Sequence, residues 1–265
     1  MIRFVKTALA IALVPSLIAL NTPAFADNTA TKAPTVSPEE RAKIEEVVHQ
    51  YLMQKPEVLL EAMQVLQRKQ FEQAEQTVKS TQKNVAQYSD ALFHQANDPV
   101  AGNPNGKITV VEFFDYQCPH CINMAPVIAA ILKANPDVRI VFKDFPIRGP
   151  VSDFAARAAL AANKQGKYYE LSHAILTANQ PLTQNGVMDA AKTVKDLNIE
   201  QMKKDMNDNS VNTTLKNNVK LAQDLKLLGT PAFFIGKTDA KGNINYVPGQ
   251  MNQAQLQQAI DSASK

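Results

Sequence analysis

Val111-Glu112-Phe113-Phe114-Asp115-Tyr116-Gln117-Cys118-Pro119-His120-Cys121 contains both cysteines of the 265-residue chain, and its reading decides the fold. Ile108 to Phe114 is a short, largely apolar, β-prone run. Cys118 follows that strand directly. Pro119 suits the first position of a helix, where a missing N–H costs nothing and the fixed φ is already helical. Cys118 is therefore expected as the N-cap of a helix running from Pro119 to about Ala134. A second strand from Val138 to Phe142 and a turn around Pro146 to Pro150 complete a βαβ start.

Cross-linking two residues three apart closes almost no loop, so as a structural staple this pair falls well short of the ~3 kcal/mol expected of a 15-residue loop. Its position suits chemistry better. The N-cap sulfur faces the unpaired N–H groups and the positive end of the helix dipole, which favour thiolate over thiol. His120 adds positive character when protonated. Such surroundings bring a cysteine from about 8.5 toward ~3.5–7.5. Cys118 is expected to be the exposed, attacking sulfur, and Cys121, one turn on and facing the protein, the resolving one. The competing reading is half of a zinc site. No second cysteine pair exists, and His49, His94 and His173 are isolated and lack ligand spacing, so no metal is assigned. No cofactor is needed, since electrons travel through sulfur alone.

Beyond the second strand, 151 to 228 reads as an all-helical insertion, with segments at Phe154 to Ala162, Tyr168 to Leu176, Val187 to Leu197 and Leu215 to Leu228. Thr230-Pro231 then introduces the apolar run Ala232 to Ile235. A polar turn and Ile244 to Val247 make a hairpin, and Gln253 to Ile260 closes as a helix. By itself Pro231 is a loop residue with a ~5–6% expectation of a cis bond.

Toward the N-terminus, no glycine precedes Gly102, and all nine lie between there and Gly249. This break divides an arm, 27–97, from a domain, 98–265. Arg3 and Lys6, the apolar run Ala8 to Leu20, and Ala24-Phe25-Ala26 before Asp27 have the order of a secretory signal over 1–26. That run is shorter than the ~20 residues of a spanning helix. Losing Arg3 and Lys6 takes the net charge from +3 to +1, which leaves no electrostatic footprint for nucleic acid. In the arm, Ser37 suits an N-cap with Pro38 behind it, and Ile44, Val47, Val48, Tyr51 and Leu52 recur at helical spacing. A second helix is expected from about Glu57 to His94. Its stripe Phe71, Ala74, Val78, Thr81, Val85, Tyr88 and Leu92 fits either core packing on the domain or a self-associating seam. Asn97 to Lys107, with two prolines and two glycines, reads as a linker.

The quoted stretch closely resembles the active-site strand and helix of DsbA-family periplasmic oxidoreductases. Gly229-Thr230-Pro231-Ala232-Phe233-Phe234-Ile235 resembles the family's cis-proline loop. The resemblance covers about Asp98 to Lys265 and implies an α/β, thioredoxin-like fold with an all-helical insertion, preceded here by a helical arm. It implies a redox-active disulfide at Cys118 and Cys121, a cis Pro231 that with Thr230 pairs with extended substrate, and a proton-accepting Glu112 beside Cys121. Tyr51-Leu52 and Pro56 to Leu60 resemble the N-terminal segment of Com1-like and ScsC-like relatives, which implies a homo-oligomer, a dimer ahead of a trimer. Thr230 before Pro231 is the residue type of DsbC-like isomerases. The resemblance thus implies oxidation, with isomerisation beside it, of exported proteins carrying cysteine thiols or disulfides, and a membrane redox partner that resets the pair. A peptide-binding chaperone or envelope-associated scaffold that keeps the fold is the alternative.

Overall fold

The computed structural model of the protein describes residues 36–178, 180–239 and 242–265. The signal peptide expected over 1–26 and the first part of the arm lie outside the described residues. The chain divides into two compact units, Met1–Ala62 and Met63–Lys265.

In the first unit, α1 (Pro38–Gln54) opens with a capping box in which Glu40 N–H donates to Ser37 Oγ at 3.3 Å and Ser37 N–H to Glu40 Oε2 at 3.0 Å. It stops at Lys55, because the residue before Pro56 is pushed out of the helical region. No residue of α1 is buried, and its apolar face, including Val47 and Tyr51, stands open.

A single helix from Glu57 to His94 does not form. α2 (Glu57–Asn84) gives way to a 3-10 turn at Val85–Tyr88 and to α3 (Ser89–Phe93). The reason is tertiary. Val85, Leu92 and Phe93 are buried in the core beside the sheet, Thr81 Oγ1 donates to the Leu225 carbonyl at 2.8 Å, and the Gln82 amide bridges the Ile244 carbonyl and the Tyr246 N–H. Following these contacts requires a break in the rod. Core packing is therefore the correct reading of the stripe from Val78 to Leu92, whereas Phe71 remains 65% exposed.

Among the described residues the second unit is built on five strands, β1 (Val100–Gly102), β2 (Ile108–Phe114), β3 (Val138–Asp144), β4 (Ala232–Lys237) and β5 (Asn245–Pro248), in the order β1-β3-β2-β4-β5. β2 and β3 run parallel and the other pairs antiparallel. β1 lies where a linker was expected. It is only three residues long, and Gly102, at φ +79°, is required because a Cβ there would run into the Val138 carbonyl.

Side-chain alternation along the strands makes two cores. Val110, Phe114, Ile140 and Phe233 face α4 (Pro119–Ala134), α6 (Tyr168–Leu176) and α10 (Gln253–Ser264). Val111, Phe113, Val141 and Phe234 face α3 and α9 (Asn209–Asp224). Glu112 shares the parity of Val110 and Phe114, which turns it toward α4.

The insertion consists of α5 (Pro150–Asn163), α6, α7 (Gln184–Thr193), α8 (Ile199–Asp205) and α9. It departs from expectation at α8, where Asn198 caps the Gln201 N–H at 3.0 Å and buried Met202 anchors a helix too short to show periodicity. The helix expected over Val187 to Leu197 ends early, before Asp196 at φ +61°. That expected from Leu215 begins six residues sooner, with Asp208 as its cap.

On the α3 side, Lys143 is buried in β3, ion-paired with buried Asp98, and donates to the Ala91 carbonyl at 2.9 Å. Arg139 donates to the Phe93 carbonyl at 2.8 Å. Two cations thus close the C-terminal end of α3, where orphan carbonyls favour positive charge. Among the described residues no helix is long and apolar enough to cross a membrane.

Candidate active site

β2 delivers the chain to Asp115, a fully buried carboxylate. Its Oδ1 accepts from the Gln117 N–H at 2.7 Å and the Ser152 hydroxyl at 2.8 Å, and its Oδ2 from the Arg148 N–H at 3.0 Å. Gln117 Nε2 adds bonds to the Arg148 carbonyl and Ser152 Oγ. The turn before the cysteines is thereby tied to the start of α5. It places Cys118 as the N-cap of α4, at φ −80° and ψ 118°, with Pro119 next.

Both cysteines are free thiols, and both are buried, with 1% exposure each. The expected exposed sulfur at Cys118 is therefore corrected: the Thr230 carbonyl sits 3.2 Å from its Sγ and covers it. Burial pushes the Cys118 thiol up, but the Thr230 side chain, Cys121 and the His120 backbone favour the thiolate, outweigh it and hold the thiol below its usual value. The Thr230 carbonyl favours the protonated form, while the buried Thr230 hydroxyl has no partner of its own and is available to the thiolate. Donors outnumber the acceptor, so the lowering prevails.

Cys121 moves the opposite way. Burial raises its thiol most, and the neighbouring Glu112 carboxylate raises it further. Glu112, 4% exposed, is itself pushed up to about 8 by burial. It shares a small cavity with Cys121, Ala125, Phe142, Tyr169 and His173. His120 stands exposed, with Nδ1 2.8 Å from Gln250 Oε1.

The Thr230–Pro231 peptide is cis, as the resemblance implied. Pairing of Ala232 with Phe113 in the sheet sets this peptide at the end of β2 where the cysteine turn begins. Cys118, Pro119, His120, Cys121, Glu112, Thr230 and Pro231 thus meet in one place. His49, on α1, and His94, edge-on to the Phe93 ring, lie elsewhere, and His173 stacks on Tyr169. Among the described residues no group of three His, Cys, Asp or Glu side chains could hold a metal ion.

Sequence reasoning missed Asp115 and Gln250. It also missed Asp144, pushed up to about 7 by burial, whose Oδ2 accepts from the Tyr168 hydroxyl at 2.9 Å. Asp115 carried a local signal, an Asx residue three before a helix cap. Gln250 and Asp144 carried none, since their partners are distant in sequence.

Residues 109–261 match the family described as DSBA-like thioredoxin domain. The chain belongs to that family. It is one of thiol-disulfide oxidoreductases, and the DSBA-like match takes in both cysteines, the insertion and the Thr230–Pro231 peptide. Residues 40–73 separately match the N-terminal domain of copper resistance protein ScsC.

Among solved structures, a thioredoxin-like oxidoreductase from Silicibacter pomeroyi DSS-3 is 43% identical, with 66% of this chain and 96% of that one covered and a TM-score of 0.60. BcfH of Salmonella enterica Typhimurium is 34% identical over 86% of this chain and 97% of that one, with a TM-score of 0.62. The probable disulfide bond formation protein D of Bacillus cereus is 26% identical, over 54% of this chain and 72% of that protein. Na(+)/H(+) antiporter NhaA 3 of Salinispora tropica is 28% identical over 150 residues, which is 56% of this chain. The chain spans only 23% of that protein's length.

Proposed function

We propose that the protein is a periplasmic thiol-disulfide oxidoreductase that forms disulfides in exported proteins, and reshuffles them, at the Cys118–Cys121 pair. The observation that carries this reading is the placing of two free thiols one helical turn apart at the start of α4, with Cys118 Sγ 3.2 Å from the carbonyl of the cis Thr230–Pro231 peptide and Cys121 sharing a cavity with Glu112. In the oxidising direction a substrate thiolate attacks Sγ of Cys118 in the disulfide form, the Cys118–Cys121 bond breaks, and Cys121 leaves with a proton from Glu112. A second substrate thiolate then attacks the substrate sulfur of the mixed disulfide, and Cys118 leaves as a stable thiolate. The substrate has lost two electrons and the pair has gained them. A membrane partner removes them to reset the enzyme. Reshuffling starts instead from the Cys118 thiolate of the reduced pair.

Glu112, raised to about 8, is mostly protonated at neutral pH, which suits it to give a proton to the leaving Cys121, and the acceptor role that the resemblance implies is the reverse step, when the pair is re-oxidised. Thr230 and Pro231 are assigned to pairing with an extended substrate segment. A periplasmic place is supported by the signal-like order of 1–26.

Self-association through the arm, as a dimer ahead of a trimer, is supported by the open apolar side chains of Val47, Tyr51, Leu59, Leu60, Met63 and Leu66. The full chain is expected to scatter light as an oligomer, and charged replacements at Leu59, Met63 and Leu66 to dissociate it. A monomeric parent chain would remove this part.

Cys118→Ala is expected to abolish insulin reduction and refolding of scrambled ribonuclease. Full activity in that variant would instead favour a chaperone or scaffold that keeps the fold. Trapping the thiols in periplasm reads the direction: a mostly reduced pair would exclude a purely oxidising role.

A further inference from the structure

An exposed imidazole in the first turn of a helix ordinarily samples several rotamers. That of His120 is held. Its Nδ1 lies 2.8 Å from Gln250 Oε1, and Asn123 Nδ2 approaches the same oxygen at 3.4 Å. Two side chains converging on one atom mark it as an acceptor, so Nδ1 carries the hydrogen and the neutral ring keeps its lone pair on Nε2.

Gln250 is fixed from both sides. Gly249 N–H donates to the Pro231 carbonyl at 2.8 Å, and Met251 N–H meets Met124 Sδ of α4 at 3.3 Å. Asn252 then opens α10 with a capping box. The short loop between β5 and α10 is therefore tied to the cis peptide and to the helix that carries the cysteines.

We propose that Gln250 is a positioning residue for the exchange site, holding the His120 ring in one orientation and one tautomer at the N-terminus of α4. This rests on the reading that Cys118 and Cys121 exchange thiols. The oxygen accepts from Nδ1–H and so fixes where the ring stands relative to the first turn of α4. A ring released from Gln250 spreads over several rotamers, and the Cys118 thiolate, two residues before it, loses part of a favourable neighbour. The other titratable groups around the sulfur, Cys121 on α4, Glu112 on β2 and Asp115 in the preceding turn, are unchanged by substitution at 250.

The test is the pH profile of iodoacetamide alkylation of Cys118 in the reduced protein, with thiolate absorbance as a second readout. Gln250 is exposed, and thermal melts of each variant check that folding is intact. Gln250→Ala is expected to slow alkylation roughly threefold below the midpoint of the profile, about the effect of one exposed hydrogen bond, and to leave the high-pH plateau unchanged. In a His120→Ala background the same substitution should have no further effect. A Gln250→Ala profile that superimposes on the parent while His120→Ala shifts it would overturn the proposal. So would a Gln250→Ala effect of equal size with and without His120. Either result leaves the exchange reading intact, because that reading fails on the activity of Cys118→Ala instead.

Discussion

Glu112→Gln isolates the cost of a buried carboxylate facing a buried thiol. Glu112 is 4% exposed on a strand buried along its whole length, and burial alone raises its pKa from 4.5 to about 8. A carboxyl whose folded pKa stands above its unfolded one binds its proton more tightly in the folded state. Its stabilisation is therefore complete below pH 4.5 and is lost as pH rises to about 8. Each unit is worth about 1.36 kcal/mol, so the loss across this window is on the order of 5 kcal/mol. That figure is an upper bound, since water follows an ionising group into the interior. The amide of the variant is neutral throughout, and Cys121 stays a thiol over the window because its own pKa is pushed far up. In guanidinium titrations of the reduced protein, parent and variant should be similar near pH 5. By pH 9 the variant should be the more stable by several kcal/mol, on the order of half the upper bound or more. Parallel stability profiles from pH 5 to 9 would refute the reasoning, as they would mean that Glu112 ionises freely in the folded state.

Other expectations follow from the same contacts. Glu112→Gln should also slow the exchange step in which Cys121 leaves, at neutral pH, by at least about tenfold, because a positioned acid is lost; stopped-flow rates equal to the parent would exclude that role. Asp115→Ala takes the acceptor from the Gln117 and Arg148 N–H groups and from the buried Ser152 hydroxyl and should lower stability by about 3 kcal/mol, measured by thermal denaturation. Lys143→Met should cost about 3–5 kcal/mol by stranding buried Asp98, and adding Asp98→Leu should recover most of it; additive losses in the double-mutant cycle would contradict the pairing.

Where the signal is local, the sequence is readable. The strand, cap and proline around Cys118 depend on neighbours within one turn, so β2, α4 and the place of Cys118 at the N-cap follow from the string itself. Ser37 and Glu40 fix the start of α1 in the same way. What escaped depends on partners far along the chain. β1 is three residues paired to Arg139, Ile140 and Val141, and nothing within Val100 to Gly102 encodes that partner. The seam from Phe71 to Leu92 looks uniform, yet its C-terminal half is recruited by Leu225, Ile244 and Tyr246, more than 130 positions away, and the helix breaks to reach them. Gln250 is an ordinary polar residue until the fold brings it to His120.

The asymmetry of the two cysteines shows how a three-residue spacing becomes chemistry. One turn of helix separates sulfurs at the very end of α4 from sulfurs inside its first turn. The end faces unpaired N–H groups and the Thr230 side chain, which outweigh the single acceptor that the Thr230 carbonyl presents to Cys118. The inside faces the sheet, and strand parity dictates which residue it meets there. Had Glu112 been shifted by one position it would have faced α3 and left Cys121 without a carboxyl beside it. The same register that fills the core with Val110 and Phe114 therefore also sets a proton-carrying group against the buried thiol. Packing and thiol chemistry at this site are two consequences of one alternation.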